Sequence, residues 1–405
     1  MRTLALTAAL SLTFALSGCG GGDDTHNEKF TVAVIGDVPY GVNPADNSQS
    51  LVHPALIAAL NADADASFVM HVGDIHSGKQ FCTTTYNNSI ANDWKALKKP
   101  ILYTPGDNEW SDCHKTGEGG GTWNTAAGAI DYILDSTGAK ASYQGGDPAA
   151  NLALVRNIFF SQPGKDFTGL MGVHSQAQEF DSGFPGDAAF VENVWFEKSG
   201  VLFVAINVPG GSNNDNDIWY GAPMMSAAQS QEVATRSAAN LRWLDAAFKR
   251  AVGNVDVAVV VWLQADMWDV DGKTAAHLTQ YKQFIDSIAA KAKDFGKPVL
   301  LFNGDSHFYR ADNPLVQGTP CVIEPSPGAA AVTCAAGVMP VGNPPDPYTN
   351  QPNGYNVPNF HRVVVHGSAM PLEWLKVSVD PHYDPNAAAT ATSFGPFSWT
   401  RKPLS

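Results

Sequence analysis

An α/β fold with parallel strand pairing is predicted by this 405-residue chain, and three observations predict it. Short runs rich in Val, Ile, Leu and Phe recur along the sequence, segments with apolar residues three or four apart fall between many of them, and several of the runs stop at a Gly-Asp pair. Strand-like runs occur at Phe30 to Ile35, Ser67 to Val72, Ile101 to Tyr103, Val191 to Phe196, Val201 to Ile206, Val255 to Leu263, Val299 to Phe302, Arg362 to His366 and Trp374 to Val379. The clearest helical patterns cover Leu51 to Leu60, Ala127 to Leu134, Ala227 to Val252 and Thr274 to Phe295. Residues 191 to 206 predict a hairpin, and the two closing strands predict further antiparallel pieces.

With 44% hydrophobic residues the chain can bury a large core, although it exceeds the usual single-core size. No segment has the composition of a domain linker, so residues 30–405 are read as one elaborated domain with loop insertions. Gly117 to Gly121 and Pro325 to Asn353, dense in Gly, Pro, Ala and Asn, are expected on the surface as lids or decorations. The formal net charge of −14 argues against nucleic acid as a partner.

Met1-Arg2 and the short apolar run from Thr3 to Leu16 have the form of a secretory signal over residues 1–18, too short for a bilayer span. Leu16-Ser17-Gly18-Cys19 resembles the lipobox of bacterial lipoproteins. That resemblance implies lipidation at Cys19, a flexible tether over 19–29, and a lipid-anchored protein at the outer membrane, facing the periplasm or the cell surface. Plain cleavage without lipid is the competing reading. In an exported chain the other four cysteines can form two bridges, Cys82 with Cys113 and Cys321 with Cys334. A zinc site made of these thiols is the rival reading, but neither pair has the close spacing of a zinc knuckle.

The Gly-Asp pairs carry the chemistry. Ile35-Gly36-Asp37, Val72-Gly73-Asp74, Pro105-Gly106-Asp107 and Asn303-Gly304-Asp305-Ser306-His307 each follow a strand-like run. Glycine is expected to let the backbone turn so that Asp projects from the carboxyl end of the strand, where open α/β sheets collect ligands. Carboxylates gathered there repel one another unless a cation lies between them. Four ordinary turns are the plainer alternative.

In order and spacing, these pairs together with Val259-Val260-Val261-Trp262-Leu263-Gln264 resemble the five-block signature of calcineurin-like metallophosphoesterases, the superfamily that includes purple acid phosphatases. The match spans residues 30 to about 310. The resemblance implies a layered α/β/β/α sandwich and a metal-dependent phosphoester hydrolase, with two divalent metals that activate water. It implies Asp37, Asp74, Asp107, Gln264, Asp305 and His307 as the metal ligands, with Asp74 as the bridge. The departures from the family pattern are specific. Pro39 replaces the His of the first block, leaving Tyr40 as a substitute ligand; Asp107 replaces an Asn and Asn108 a His; Gln264 and Asp305 each replace a His.

These exchanges trade imidazoles for carboxylates and an amide, giving a mostly oxygen shell that favours Mg²⁺, Mn²⁺ or Ca²⁺ over Zn²⁺. Asn108 stands in the family's acid position, so His76 or His114 is the nearest candidate to protonate a leaving group. Asn207 and Arg310 are candidates to hold phosphate oxygens, Arg310 by a bidentate grip. For His76, Asn207 and Arg310 the structural alternatives are a surface histidine, a plain turn and a packing role. Glu109 and Trp110 are expected to brace the third loop, and His366 to be a core or rim residue. The expected partner is a phosphoester small molecule or a phosphorylated surface component. Loss of family histidines favours a different class, a noncatalytic binding module with at most a structural metal.

Overall fold

The computed structural model describes residues 28–269, 279–316, 319, 321–324, 329–333 and 355–404. The expected signal at 1–18, Cys19, most of the 19–29 tether, Cys334 and most of Pro325 to Asn353 lie outside these residues. Among the described residues no helix is long and apolar enough to cross a membrane.

The first strands are β1 (Phe30–Ile35), β2 (Ala66–His71) and β3 (Ile101–Tyr103), followed by a two-stranded hairpin of β4 (Gly121–Asn124) and β5 (Ala129–Tyr132). Then come β6 (His174–Ser175), β7 (Val194–Lys198), β8 (Val201–Ala205), β9 (Ala258–Trp262), β10 (Val299–Asn303) and β11 (Arg310–Asp312). The chain closes with β12 (Val322–Ile323), β13 (Val332–Thr333), β14 (Phe360–Val364), β15 (Glu373–Val379), β16 (Ser393–Phe394) and β17 (Phe397–Pro403). One sheet has the order β16-β17-β15-β1-β2-β3 and the other β13-β12-β11-β14-β10-β9-β8-β7-β6. Their centres are parallel, β1-β2-β3 in the first and β8-β9-β10-β14 in the second.

Side-chain alternation along these strands explains the layers. In β1, Val32 and Val34 face a core shared with Phe203, Ala205 and Val260 of the second sheet, while Ala33 and Ile35 face the helices Ser48–Ala62, Thr84–Trp94 and Pro148–Phe159. In the second sheet, Leu202, Val204, Val259 and Val261 turn outwards onto the helices Ala227–Gly253 and Lys282–Phe295. Phe68 meets Phe196 and Phe203 edge-on across the sheet interface, at 5.2 and 5.4 Å between ring centres. The molecule is therefore a mixed α/β sandwich in the order helix, sheet, sheet, helix.

Three expectations are corrected. Ala127 to Leu134, read as helical from its apolar spacing, holds β5 and the turn before it, because Gly128 takes φ +64° and folds Asn124 back towards Ala129. Of the closing strands, β15 is antiparallel to β1, but β14 runs parallel to β10 and antiparallel only to β11. Gly117 to Gly121 is mostly buried rather than a surface lid: a Cβ on Gly120 would lie 2.2 Å from the His114 carbonyl oxygen.

Candidate metal centre

Asp37, Asp74 and Asp107 leave the carboxyl ends of β1, β2 and β3, and Gln264 and Asp305 those of β9 and β10. Parallel pairing with β1 Ile35 opposite β2 His71 and β2 His71 opposite β3 Tyr103 brings the first three together. Face-to-face packing of the sheets supplies the rest. The glycines serve mainly by their size. A Cβ on Gly106 would fall 1.9 Å from Asp74 Oδ1, and one on Gly304 would fall 2.4 Å from Asp37 Oδ2. Among the four glycines Gly73 takes a positive φ, 111°, and the rest of the unusual backbone is carried by the ligand-type residues themselves, with φ of 52° at Asp37, 59° at Asp74, 73° at Asp305 and 65° at His307. Such conformations cost energy for non-glycine residues and collect at functional sites.

Asp37 and Asp74 are buried, and one ligand atom each from Asp37, Asp74 and His307 lies within 4.8 Å of the others. Asp37 Oδ1 accepts the Asp305 amide at 3.0 Å and lies 3.6 Å from His307 Nε2. Asp37 Oδ2 is buried with no hydrogen-bond partner. Asp74 Oδ2 accepts three donors, the Tyr40 hydroxyl at 2.7 Å, Asn108 Nδ2 at 3.0 Å and Gln264 Nε2 at 3.1 Å. Burial, reinforced by neighbouring carboxylates, holds the Asp37 and Asp74 carboxyls well above the usual range. Asp107 and Asp305 converge on Gly210, whose Cβ would meet their oxygens at 2.3 and 2.7 Å.

The structure distributes the other candidates unequally. Asn108 and Tyr40 belong to the cluster, with Asn108 Nδ2 donating to the Tyr40 hydroxyl at 2.9 Å. Gln264 also reaches it, but its amide oxygen accepts the Gly210 N–H while its nitrogen donates to Asp74 and, at 2.9 Å, to Asp107. Rotating the amide would oppose two N–H groups, so the oxygen expected to face a metal stays turned to Gly210. His76 points elsewhere. Its Nδ1 lies 3.1 Å from the Ser77 carbonyl, its ring packs edge-on against Tyr86, and burial lowers its pKa to about 4. His114 accepts the Tyr220 amide and lies with Asp112 and Asp217.

Neither phosphate candidate lines the cleft. Asn207 is buried, donates Nδ2 to Glu192 at 3.0 Å and is gripped at its carbonyl by Arg236 and Asn240. Arg310, 1% exposed, lies 3.8 Å from Asp266. Glu109 takes the role expected for it, its Oε1 accepting the Gly106 and Asp74 amides at 2.6 and 3.2 Å. His366 lies between Glu324 and Glu373.

Four contributors escaped the sequence reading. Asp266 donates its amide to Asp305 Oδ2 at 3.1 Å and accepts the Ser306 hydroxyl, while Arg362 binds both Asp266 and Asp312. Gly210 admits the carboxylates of Asp107 and Asp305. Lys79 is an exposed ammonium on a cleft of about 370 Å³ that is also lined by Tyr40, Asp74, Asn108, Asp305 and His307. Two signals were available, Asp266 two residues beyond the fourth block and the Gly210-Gly211 pair after β8.

A purple acid phosphatase from yellow lupin (Lupinus luteus) seeds is similar in structure, with a TM-score of 0.38 and 12% identity over 88% of this chain. The chain spans about half of that phosphatase, 50% of its length. No protein-family model and no curated protein matches the chain.

The donor set fits a divalent cation. Asp37 Oδ2 is an orphaned buried carboxylate oxygen, and removal of the nearest Cβ at Gly304 leaves room beside it. The same Asp37 carboxylate gathers with that of Asp74 and the His307 imidazole, one ligand atom of each within 4.8 Å of the others.

Proposed function

We propose that the protein is a metal-dependent phosphoester hydrolase working outside the cytoplasm through a carboxylate-rich site. Asp37, Asp74 and His307 would hold one divalent cation, and Asp107 and Asp305, with Asp74, would contribute to holding a second. The orphaned Oδ2 of Asp37, buried among like-charged groups, is the observation that carries the reading. Oxygen-rich ligation favours Mg²⁺, Mn²⁺ or Ca²⁺ over Zn²⁺. When bound, such a cation supplies Lewis-acid polarisation of a phosphoryl oxygen and a more acidic water.

The chain's own groups define the rest. Asn108 and Gln264 orient Asp74 by donating to its Oδ2, and Tyr40 keeps its proton because burial and the neighbouring Asp74 raise its pKa well above 10. Lys79 at the mouth attracts anions. His76 is buried away from the cleft, so phosphoesters whose leaving group departs without a proton are the best substrates. Substrates of this class are a phosphoester small molecule or a phosphorylated surface component, and nucleic acid is disfavoured by the net charge of −14. Export with a lipid anchor at Cys19 is consistent with the Cys82–Cys113 disulfide, a bond of oxidising compartments.

One observation favours the second reading, a noncatalytic module: the amide nitrogens of Asn108 and Gln264 already occupy Asp74 Oδ2. Chelated protein replenished with each cation and offered an activated aryl phosphate separates the two. Metal-dependent turnover that falls by ~10²-fold or more in Asp74→Asn supports the enzyme. Metal binding without turnover supports the module.

A further inference from the structure

Behind the cleft lies a second group of metal-competent side chains. One ligand atom each from His76, Cys82, Cys113 and Glu118 lies within 4.8 Å of the others, and each residue is at most 1% exposed. The sulfurs are joined as a disulfide, with Cα atoms 5.8 Å apart, and a disulfide is a poor ligand. Around it, His76 Nε2 and Glu118 Oε1 are buried with no hydrogen-bond partner. His76 Nδ1 must carry the proton to meet the Ser77 carbonyl at 3.1 Å, leaving Nε2 with a free lone pair. That outer hydrogen bond is the kind that fixes a metal-binding imidazole. Orphaned buried groups are rare enough to call for a cause, and these two flank the pair of sulfurs.

We propose that reduction of the Cys82–Cys113 bond converts this group into a tetrahedral zinc site, with two thiolates, the His76 imidazole and the Glu118 carboxylate as ligands. The electron balance is simple. A dithiol reductant supplies two electrons and two protons, the S–S bond becomes two thiols, and the dithiol becomes a disulfide. Zinc then displaces both thiol protons. Thiolate and imidazole donors select Zn²⁺, unlike the oxygen donors at the mouth of the cleft. The site is coupled to that cleft through shared residues: both sulfurs contact the Asn108 carbonyl oxygen, at 3.3 and 3.5 Å, and His76 binds the Ser77 carbonyl, while Asn108 and Ser77 line the cleft. Hydrolysis need not be established for this site to exist, so its test stands apart from the proposed activity.

The experiment uses the full chain, folded, reduced with a phosphine that does not bind metal and titrated with Co²⁺ as an optical stand-in for zinc. Thiolate-to-cobalt charge transfer and tetrahedral visible bands are expected in the reduced protein only, bleached by one equivalent of Zn²⁺. The carboxylate cluster cannot produce a thiolate band. His76→Ala and Glu118→Gln, which keep both thiols, are expected to weaken Co²⁺ binding at least tenfold, and Cys321→Ser is expected to leave the band intact. The absence of a thiolate band in reduced, folded protein, a bond that resists reduction without unfolding, or a band unaffected by both His76→Ala and Glu118→Gln would overturn the proposal.

Discussion

At Asp37 two requirements conflict, because a buried carboxylate needs partners and Oδ2 has none. Burial, with repulsion from Asp305, Asp107 and Glu109, raises its pKa well above 3.8. Without metal the native state binds that proton more tightly than the unfolded chain does. This contribution to stability is present below the ordinary carboxylate range and is lost as pH rises through the raised native value. Chelated Asp37→Asn is therefore expected to gain melting temperature relative to chelated wild type as pH rises from 4 to 8, while losing the stabilisation by added metal. Melting curves across that range check both signs. Gly304→Ala tests the cradle. Its new methyl would lie 2.4 Å from Asp37 Oδ2, so a cost of about 1–3 kcal/mol and weaker metal binding are expected from denaturant titration and calorimetry. The aspartates were legible because each follows a strand-like run, and strand ends fix where a side chain begins. Where the amide of Gln264 points was not legible, since Gly210 decides it from 54 residues away.

Among the elements, the helix Ala227–Gly253 supports the site from behind. Arg236, fully buried, binds Glu232, the Asn207 carbonyl and Asn213, which anchors the turn that presents Gly210 to Gln264. Arg236→Met is expected to cost about 3–5 kcal/mol, because Glu232 and the turn carbonyls lose their donor. A fall in urea midpoint of that size, together with weaker metal binding, checks it. Apolar spacing located this helix within a residue, since seven of its eleven buried positions are apolar, among them Val233, Trp243, Leu244 and Phe248. It failed at Ala127 to Leu134, where β5 has no fully buried residue and the turn at Gly128 outweighs the spacing.

For the whole molecule, three buried histidines predict the acid limit. Burial lowers His71 to about 3 and both His76 and His361 to about 4, from an ordinary 6.5. Each stays neutral in the native state, so the stability it contributes is present above 6.5 and is lost as pH falls through the native values. Metal-loaded protein is expected to lose melting temperature between pH 6.5 and 4. His361→Phe, which keeps a ring beside Phe394 and Trp399, is expected to lose roughly 3 kcal/mol less. The α/β class with parallel pairing was legible from the alternation of strands and helices, while the layered sandwich was implied only by the resemblance of the Gly-Asp blocks to a known family. The inward turn of His76 was not, because its neighbours Tyr86 and Glu118 come from other loops and helices.

Thermal unfolding of chelated protein titrated with Mn²⁺, Mg²⁺, Ca²⁺ and Zn²⁺, wild type beside Asp74→Asn, tests the cation centre most directly. A hundredfold excess over the dissociation constant is expected to stabilise the wild type by about 2.7 kcal/mol, with a larger response to the hard cations and none in the variant. No shift with any cation, or equal shifts in both proteins, would contradict a metal held by Asp37, Asp74 and His307.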